Sequence, residues 1–302
     1  MAVANLGYLH FSEQTSGSWN SFGTDILGLM AVTRGEHAEH TFLKMDQAPF
    51  RLLISSGESD KLLAAGWEMA SEQDYRAQLD TLAAAGVDLT PGSSDAAALR
   101  CVTEFVTFTD PAGNVLELYF GRTMPEECAA DFCSPLDIKK FVTDDMGLGH
   151  VVLPAVEQDE AHRFYIDVLG FGDSDDLRLP APAEGAPEMR VIFMHATNPR
   201  HHSVALFNAP NPVGIVHMML EVTSIDEVGA CLDRVNKAGY PLLSSLGRHC
   251  NDNMLSFYVF GPGGIAVEFG YDGLQYDNWD DFTPTVSTEG DFWGHAYQMP
   301  AQ

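Results

Sequence analysis

The chain repeats itself. Asn5-Leu6-Gly7-Tyr8-Leu9-His10-Phe11 is echoed by Gly147-Leu148-Gly149-His150-Val151-Val152-Leu153. An amphipathic stretch follows each and stops at a Leu-Gly, Leu27-Gly28 in one copy and Leu169-Gly170 in the other. The middles align, Trp67-Glu68 with Leu220-Glu221. So do the ends, Asp110-Pro111-Ala112-Gly113-Asn114 and its following strand with Gly261-Pro262-Gly263-Gly264 and Ile265 to Gly270. The offset grows from 142 (Tyr8 to His150) to 153 (Trp67 to Leu220), so the copies differ by insertions, at a spacing far too long for a solenoid. Such a chain is constrained to fold as two similar halves, 6–121 and 147–272. Each reads as two strand-helix-strands units with helices packed outside a sheet. The expected class is α+β: four βαβββ modules paired into two similar domains, 1–135 and 136–302.

Local signals agree with this division. Ile215 to Val222 is apolar on both faces and bounded by Gly214 and Thr223-Ser224, which predicts a strand. Thr223/Ser224 before Asp226-Glu227 predicts a helix start, Val228, Cys231, Leu232 and Val235 give its buried stripe, and Gly239 ends it. Met254 to Phe260 is a second strand, and Gly261 to Gly264 turns the chain into a partner strand. After Gly273 comes an acidic, aromatic tail with Trp279, Phe282, Phe292 and Trp293. Leaving those rings in water is costly, so the tail is expected to wrap back onto the body.

Charge excludes whole classes of function. The 302 residues hold 16 Lys+Arg against 43 Asp+Glu, a net charge of −27. No basic stripe exists to neutralise phosphates, so nucleic acid is not expected as a partner, nor is an anionic membrane surface. The run from Met1 to Asn5 lacks the basic and apolar regions of a signal peptide. No apolar run approaches the ~20 residues of a spanning helix. Five cysteines without a CxxC pair argue against a disulfide framework or a thiolate zinc site. The expected compartment is the cytoplasm.

Histidine is the chemically telling residue. Eight of the eleven lie at or after position 150: His150, His162, His195, His201, His202, His217, His249 and His295. His217 sits in an apolar strand on one face with Ile215, Met219 and Glu221, and His150 leads into Val151-Val152-Leu153. Glu268 stands between Val267 and Phe269, where a carboxylate is costly to bury without a cation or donors. Two imidazoles and a carboxylate on three strands of one curved sheet make a facial triad, which leaves positions open on one side of Fe(II). The same donor set accepts Mn(II) as a second choice. Any one of these histidines alone reads as an ordinary satisfied core residue. The repeat shifts that balance. Tyr8 stands where His150 does and Ala64 where His217 does, while Glu117 matches Glu268. Both histidines are therefore confined to one copy, although Glu117 shows that a Glu is tolerated there without them.

The blocks Gly247-Arg248-His249-Cys250-Asn251-Asp252-Asn253-Met254-Leu255-Ser256-Phe257-Tyr258, then Pro262 and Glu268, resemble the signature of type I extradiol ring-cleavage dioxygenases, in the vicinal oxygen chelate superfamily. Asn198 to Ala205, Gly214 to Glu221 and Gly147 to His150 resemble further blocks of that family, so the similarity covers roughly 5–295. Gly261 departs from it, where a polar residue or Ala is usual before the Pro. The resemblance implies a glyoxalase-like fold, with His150, His217 and Glu268 holding Fe(II) in the second domain. It implies that His202 is the acid/base and that His249 and Tyr258 bond substrate or oxygen. Asn251 and Asp252 are expected to position His249 and its loop, His201 to sit at a surface hairpin and His162 to be solvated. His10, His195 and His295 carry no role from sequence.

The implied reaction is extradiol cleavage of a substituted or bicyclic catechol such as 2,3-dihydroxybiphenyl. Both atoms of O2 enter a 2-hydroxy-6-oxo-dienoate, in aromatic-compound catabolism, inside a mostly apolar funnel and in a homo-oligomer. Steroid-derived catechols, dihydroxynaphthalene, and a non-oxygenase metal-dependent member of the superfamily stay open as alternatives. So does a binding module with a degenerate site.

Overall fold

Each copy of the repeat supplies eight strands. In the first they are β1 (Asn5–Glu13), β2 (Met30–Val32), β3 (Thr41–Lys44), β4 (Leu52–Ser56), β5 (Lys61–Glu68), β6 (Thr90–Pro91), β7 (Val102–Thr109) and β8 (Val115–Arg122). In the second they are β9 (His150–Pro154), β10 (Gly172–Leu179), β11 (Met189–His195), β12 (Val204–Phe207), β13 (His217–Val222), β14 (Leu242–His249), β15 (Leu255–Phe260) and β16 (Ala266–Tyr271). The computed structural model describes residues 3–181, 185 and 188–298. Met1 and Ala2, part of the stretch read above as lacking a leader, lie outside them.

The first sheet runs β2-β3-β4-β1-β5-β8-β7-β6 and the second β10-β11-β12-β9-β13-β16-β15-β14. The two orders are the same, strand for strand. In each sheet the central pair is antiparallel, and each central strand has a parallel outer neighbour. Two units thus meet along the sheet's middle, which is the architecture expected from the repeat.

The helices repeat as well. α1 (Ser18–Ser21) runs into a π-turn over Phe22–Leu27, and α4 (Gln158–Arg163) into another over Phe164–Val168. Gly28 and Gly170 then take φ of 75° and 76°, a left-handed conformation that glycine adopts without steric cost. α2 (Glu72–Ala84) and α5 (Ile225–Ala238) start at Ser71 and Ser224, whose hydroxyls accept backbone N–H bonds from Asp74 and Asp226. Among the described residues no helix is long and apolar enough to cross a membrane.

Helices of opposite halves interlock. Trp67 meets Phe171 edge-on at 5.1 Å and Phe22 meets Tyr240 at 4.9 Å. Gln78 Nε2 on α2 donates to Val168 O at 2.6 Å, and Arg234 Nε on α5 donates to Ile26 O at 2.9 Å. One apolar core, including Leu9, Trp19, Trp67, Leu153, Met218 and Phe269, therefore lies between the sheets. The opposite, concave faces of the two sheets have different fates. The first is filled by a separate cluster with Tyr8, Phe42, Phe50, Phe105 and Tyr119. A helix, α3 (Ser94–Arg100), packs over that face between β6 and β7, and the second copy has only the turn Cys250–Met254 at the equivalent place.

The tail returns to the body, as expected. Trp279 stacks on His195 at 3.5 Å and donates Nε1 to Asn198 O. Two short strands, β17 (Thr285–Ser287) and β18 (Asp291–Trp293), pair with β10 and β14, the opposite edges of the second sheet. Phe292 and Trp293 differ from the expectation, remaining 65% and 49% exposed. They sit on a three-residue rim strand that lies at the end of the sheet order.

Candidate metal centre

Strand register brings three donors to one point. Met219 on β13 lies opposite both His150 on β9 and Glu268 on β16. His217 stands two residues before Met219, on the same face. Three adjacent strands therefore aim His150, His217 and Glu268 into the concave side. His150 Nε2 and His217 Nε2 are 3.2 Å apart, and they lie 3.2 and 3.3 Å from Glu268 Oε2. A face of an octahedron with ligands at about 2.1 Å has edges of about 3 Å, so the triangle is the right size for one metal ion.

The charges fit as well. Burial lowers the His150 imidazole to about 4, which leaves it neutral with a lone pair to offer. Burial pushes the Glu268 carboxyl up, but hydrogen bonds from His150, His217 and His249 outweigh it and hold the group ionised. Glu268 has no Lys or Arg partner among the described residues. The first half shows the alternative. There Tyr8, Gly66 and Glu117 share the same register. Glu117 is held by Arg100 of α3 at 2.5 Å and by the Tyr8 hydroxyl at 2.5 Å. A guanidinium supplies the positive charge that the second half lacks, and this explains why Glu117 is tolerated without histidines. Glu221 faces the same side as His217 but pairs with Arg200.

The remaining candidates surround this triangle. His202 is buried with its ring 4.1 Å from that of His150 and 4.7 Å from Phe193. Its Nε2 is buried without a partner, while its Nδ1 faces His201 Nδ1 at 3.0 Å and Asp252 Oδ2 at 3.9 Å. Burial pushes the His202 imidazole well below its ordinary value. His249 Nε2 lies 2.7 Å from the Tyr258 hydroxyl and 3.4 Å from Glu268 Oε1. Burial pushes His249 down, but hydrogen bonds to Asp291 and Glu268 outweigh burial and raise it.

Two sequence readings need adjustment. His201 is buried rather than at the surface, because the tail rings of Tyr276 and Phe282 cover it, each 6.2 Å away. Asp252 turns toward His202, and its Oδ1 accepts from Met254 N; Asn251 Oδ1 accepts from Asp252 N. Both bonds lie within the turn 250–254 that follows His249, and the Asp252 charge acts on His249 from a distance, but neither side chain bonds it. The groups that do are in the tail: Asp291 Oδ1 lies 2.7 Å from His249 Nδ1 and 2.5 Å from His295 Nδ1. The signal available for these two was only an acidic residue and a histidine four apart in an aromatic tail. His162 is partly exposed beside Asp173, close to its expected place.

Comparison with known proteins points one way. Residues 147–269 match the family described as the glyoxalase/bleomycin resistance protein/dioxygenase superfamily, and residues 6–57 match dihydroxybiphenyl dioxygenase BphC D1. The chain is 39% identical to an iron-dependent extradiol dioxygenase of Rhodococcus jostii (strain RHA1), over 100% of both chains. It is 37% identical to a biphenyl-2,3-diol 1,2-dioxygenase of Metapseudomonas furukawaii, over 98% of this chain and 94% of the relative. The crystal structure of BphC, a halotolerant catechol dioxygenase, superposes with a TM-score of 0.88 at 34% identity, covering 99% of this chain and 96% of that one.

Proposed function

We infer the function from one premise: the chain belongs to the type I extradiol ring-cleavage dioxygenases, and is an oxidoreductase that incorporates two oxygen atoms using a metal cofactor. The metal is Fe(II), with Mn(II) the second choice, and the substrate is a bicyclic catechol of the 2,3-dihydroxybiphenyl type. The product is a 2-hydroxy-6-oxo-dienoate. Residues 1–135 form a domain without a metal site and residues 136–302 the catalytic domain.

The observation that carries this reading is the triangle of His150, His217 and Glu268 on the concave face of the second sheet, where the turn 250–254 stands in place of a helix like α3. These three would hold the iron. Bound there, Fe(II) supplies Lewis acidity and a common meeting point for the diol and O2. The protein's own groups handle protons and orientation. His202 Nε2 is buried and free of partners, open to a proton from a substrate hydroxyl. The Nδ1 atoms of His201 and His202 face each other, so one donates to the other. With that proton on His202 Nδ1, its Nε2 holds the lone pair that takes the substrate's proton, and the proton gained there is the one His202 returns as acid. Tyr258 and His249 present an O–H and a ring nitrogen on the other side of Glu268, where they would bond substrate or oxygen. Phe193 packs on His202 and keeps water from it.

The test is anaerobic loading with Fe(II), then addition of 2,3-dihydroxybiphenyl and O2. The expected result is one O2 consumed per catechol with a yellow product. A protein that takes up iron but consumes no O2 with 2,3-dihydroxybiphenyl, dihydroxynaphthalene or steroid catechols overturns the reading. We place the enzyme in the cytoplasm, in keeping with five free cysteines, and as a homo-oligomer, which light scattering of the purified protein checks.

A further inference from the structure

The tail after β16 crosses from one edge of the second sheet to the other. β17 lies along β10, and the Thr285 and Ser287 hydroxyls donate to buried Asp175 Oδ1 at 2.5 and 3.0 Å. Only residues 288–290 separate it from β18, which lies along β14. The four steps from Ser287 to Asp291 reach at most about 14 Å, so the strap ties the two edges of a strongly curled sheet across the concave side. It is fixed beyond the crossing by Ala296 N to Ser245 Oγ at 2.9 Å and Gln298 N to Leu243 O at 2.7 Å.

Asp291 is the strap's contribution to the site. It lies opposite His249 in the pairing of β18 with β14. Its Oδ1 faces His249 Nδ1 at 2.7 Å and His295 Nδ1 at 2.5 Å, and a carboxylate oxygen accepts from both. His295 Nε2 in turn faces Ser256 O at 3.0 Å, and Ser256 Oγ donates to Glu268 Oε1 at 2.6 Å. The contacts close a ring: Glu268, Ser256, His295, Asp291, His249, and back to Glu268 Oε1 at 3.4 Å. The two ring members that touch Glu268, Ser256 and His249, both do so through Oε1, so Oε2 is left for the two imidazoles of the triangle.

We propose that Asp291 is a positioning residue of ring cleavage: it holds the Nδ1 proton of His249 and thereby fixes the ring with Nε2 toward Tyr258 and the metal-binding Glu268. A histidine with one nitrogen anchored presents the other in a single orientation, the arrangement that tunes groups around metal centres. The strap thus completes the active site while it closes the sheet. The proposal rests on the function inferred above, and its test separates the two.

The first measurement is NMR of the metal-free, full-length protein with nitrogen-labelled histidine, His249 being assigned by its loss in H249Q. The proposal expects Nδ1 of His249 to be protonated in the wild type, and an unprotonated Nδ1 overturns it without any variant or turnover. The second compares iron-loaded wild type with Asp291→Asn, an isosteric change that removes the anionic acceptor. Iron content and KM for 2,3-dihydroxybiphenyl should stay within threefold, while kcat falls about 10- to 100-fold. An Asp291→Asn enzyme with the wild-type kcat overturns the proposal, as does equal loss of kcat and iron, which marks a merely structural role. Should that variant fail to fold, the wild-type NMR signal decides alone. Failure of the functional reading shows separately, as wild-type protein that cleaves no catechol.

Discussion

Arg100 and His202 show how one residue decides what a copy of the repeat can do. Arg100 reaches from α3 to Glu117 and supplies the charge that makes a buried carboxylate tolerable. Arg100→Ala leaves Glu117 buried with no cation and only the Tyr8 hydroxyl as donor, a change worth about 3–5 kcal/mol. Urea unfolding should show that loss while iron stoichiometry stays at the wild-type level, and a lowered iron content would contradict the separation of the two sites. His202→Ala should keep its iron and lose about 10²- to 10⁴-fold in kcat, the range of a removed acid/base group. Near-normal turnover would remove its assigned role. His10 offers a pH test away from the metal. Burial holds its imidazole at about 3, against about 6.5 unfolded. The folded state therefore binds fewer protons, so the stability is fully present above pH 6.5 and is lost as pH falls toward 3. His10→Gln should flatten the fall in unfolding free energy there by about 1.4 kcal/mol per pH unit at most, and an unchanged slope would show that His10 is not its source.

At the scale of elements, alternation and punctuation did most of the specifying. His150, His217 and Glu268 could be grouped from sequence because each sits in a strand whose neighbours fix its side. The strand pairing then only had to bring three adjacent strands together. Ser224 and Gly239 likewise mark the ends of α5. Gly239 has φ of 76° at the helix end with open space around its Cβ position, so Gly239→Ala costs backbone strain alone. About 1 kcal/mol is expected, seen as a lower thermal midpoint with kcat unchanged. A larger loss would mean that the position packs against something. α3 and the strap were not legible in the same way. α3 is a seven-residue helix whose importance lies in what it covers, and the strap strands of three residues have no pattern of their own.

For the whole molecule, a net charge of −27 sets a self-repulsive background to all of these contacts. Raising KCl from 0.1 to 1 M shortens the screening length from about 10 Å to about 3 Å. The thermal midpoint should rise by a few degrees, and a fall would show that ion pairs such as Arg190–Asp176 outweigh the repulsion. The duplicated order of the two sheets and the confinement of paired histidines to one copy were written in the chain. A period, an alternation and a missing residue are all local or self-comparing patterns, and these the sequence by itself determined. Which concave face is filled, which carboxylate finds a guanidinium, and which tail residue meets His249 depend on chain segments that come together only on folding. His249 and Asp291 are 42 residues apart and touch because the strap, anchored on β10 at one sheet edge, lays β18 against β14 at the other. That closure belongs to the tertiary structure, because no run of residues encodes the curvature of a sheet made from strands distributed over half the chain.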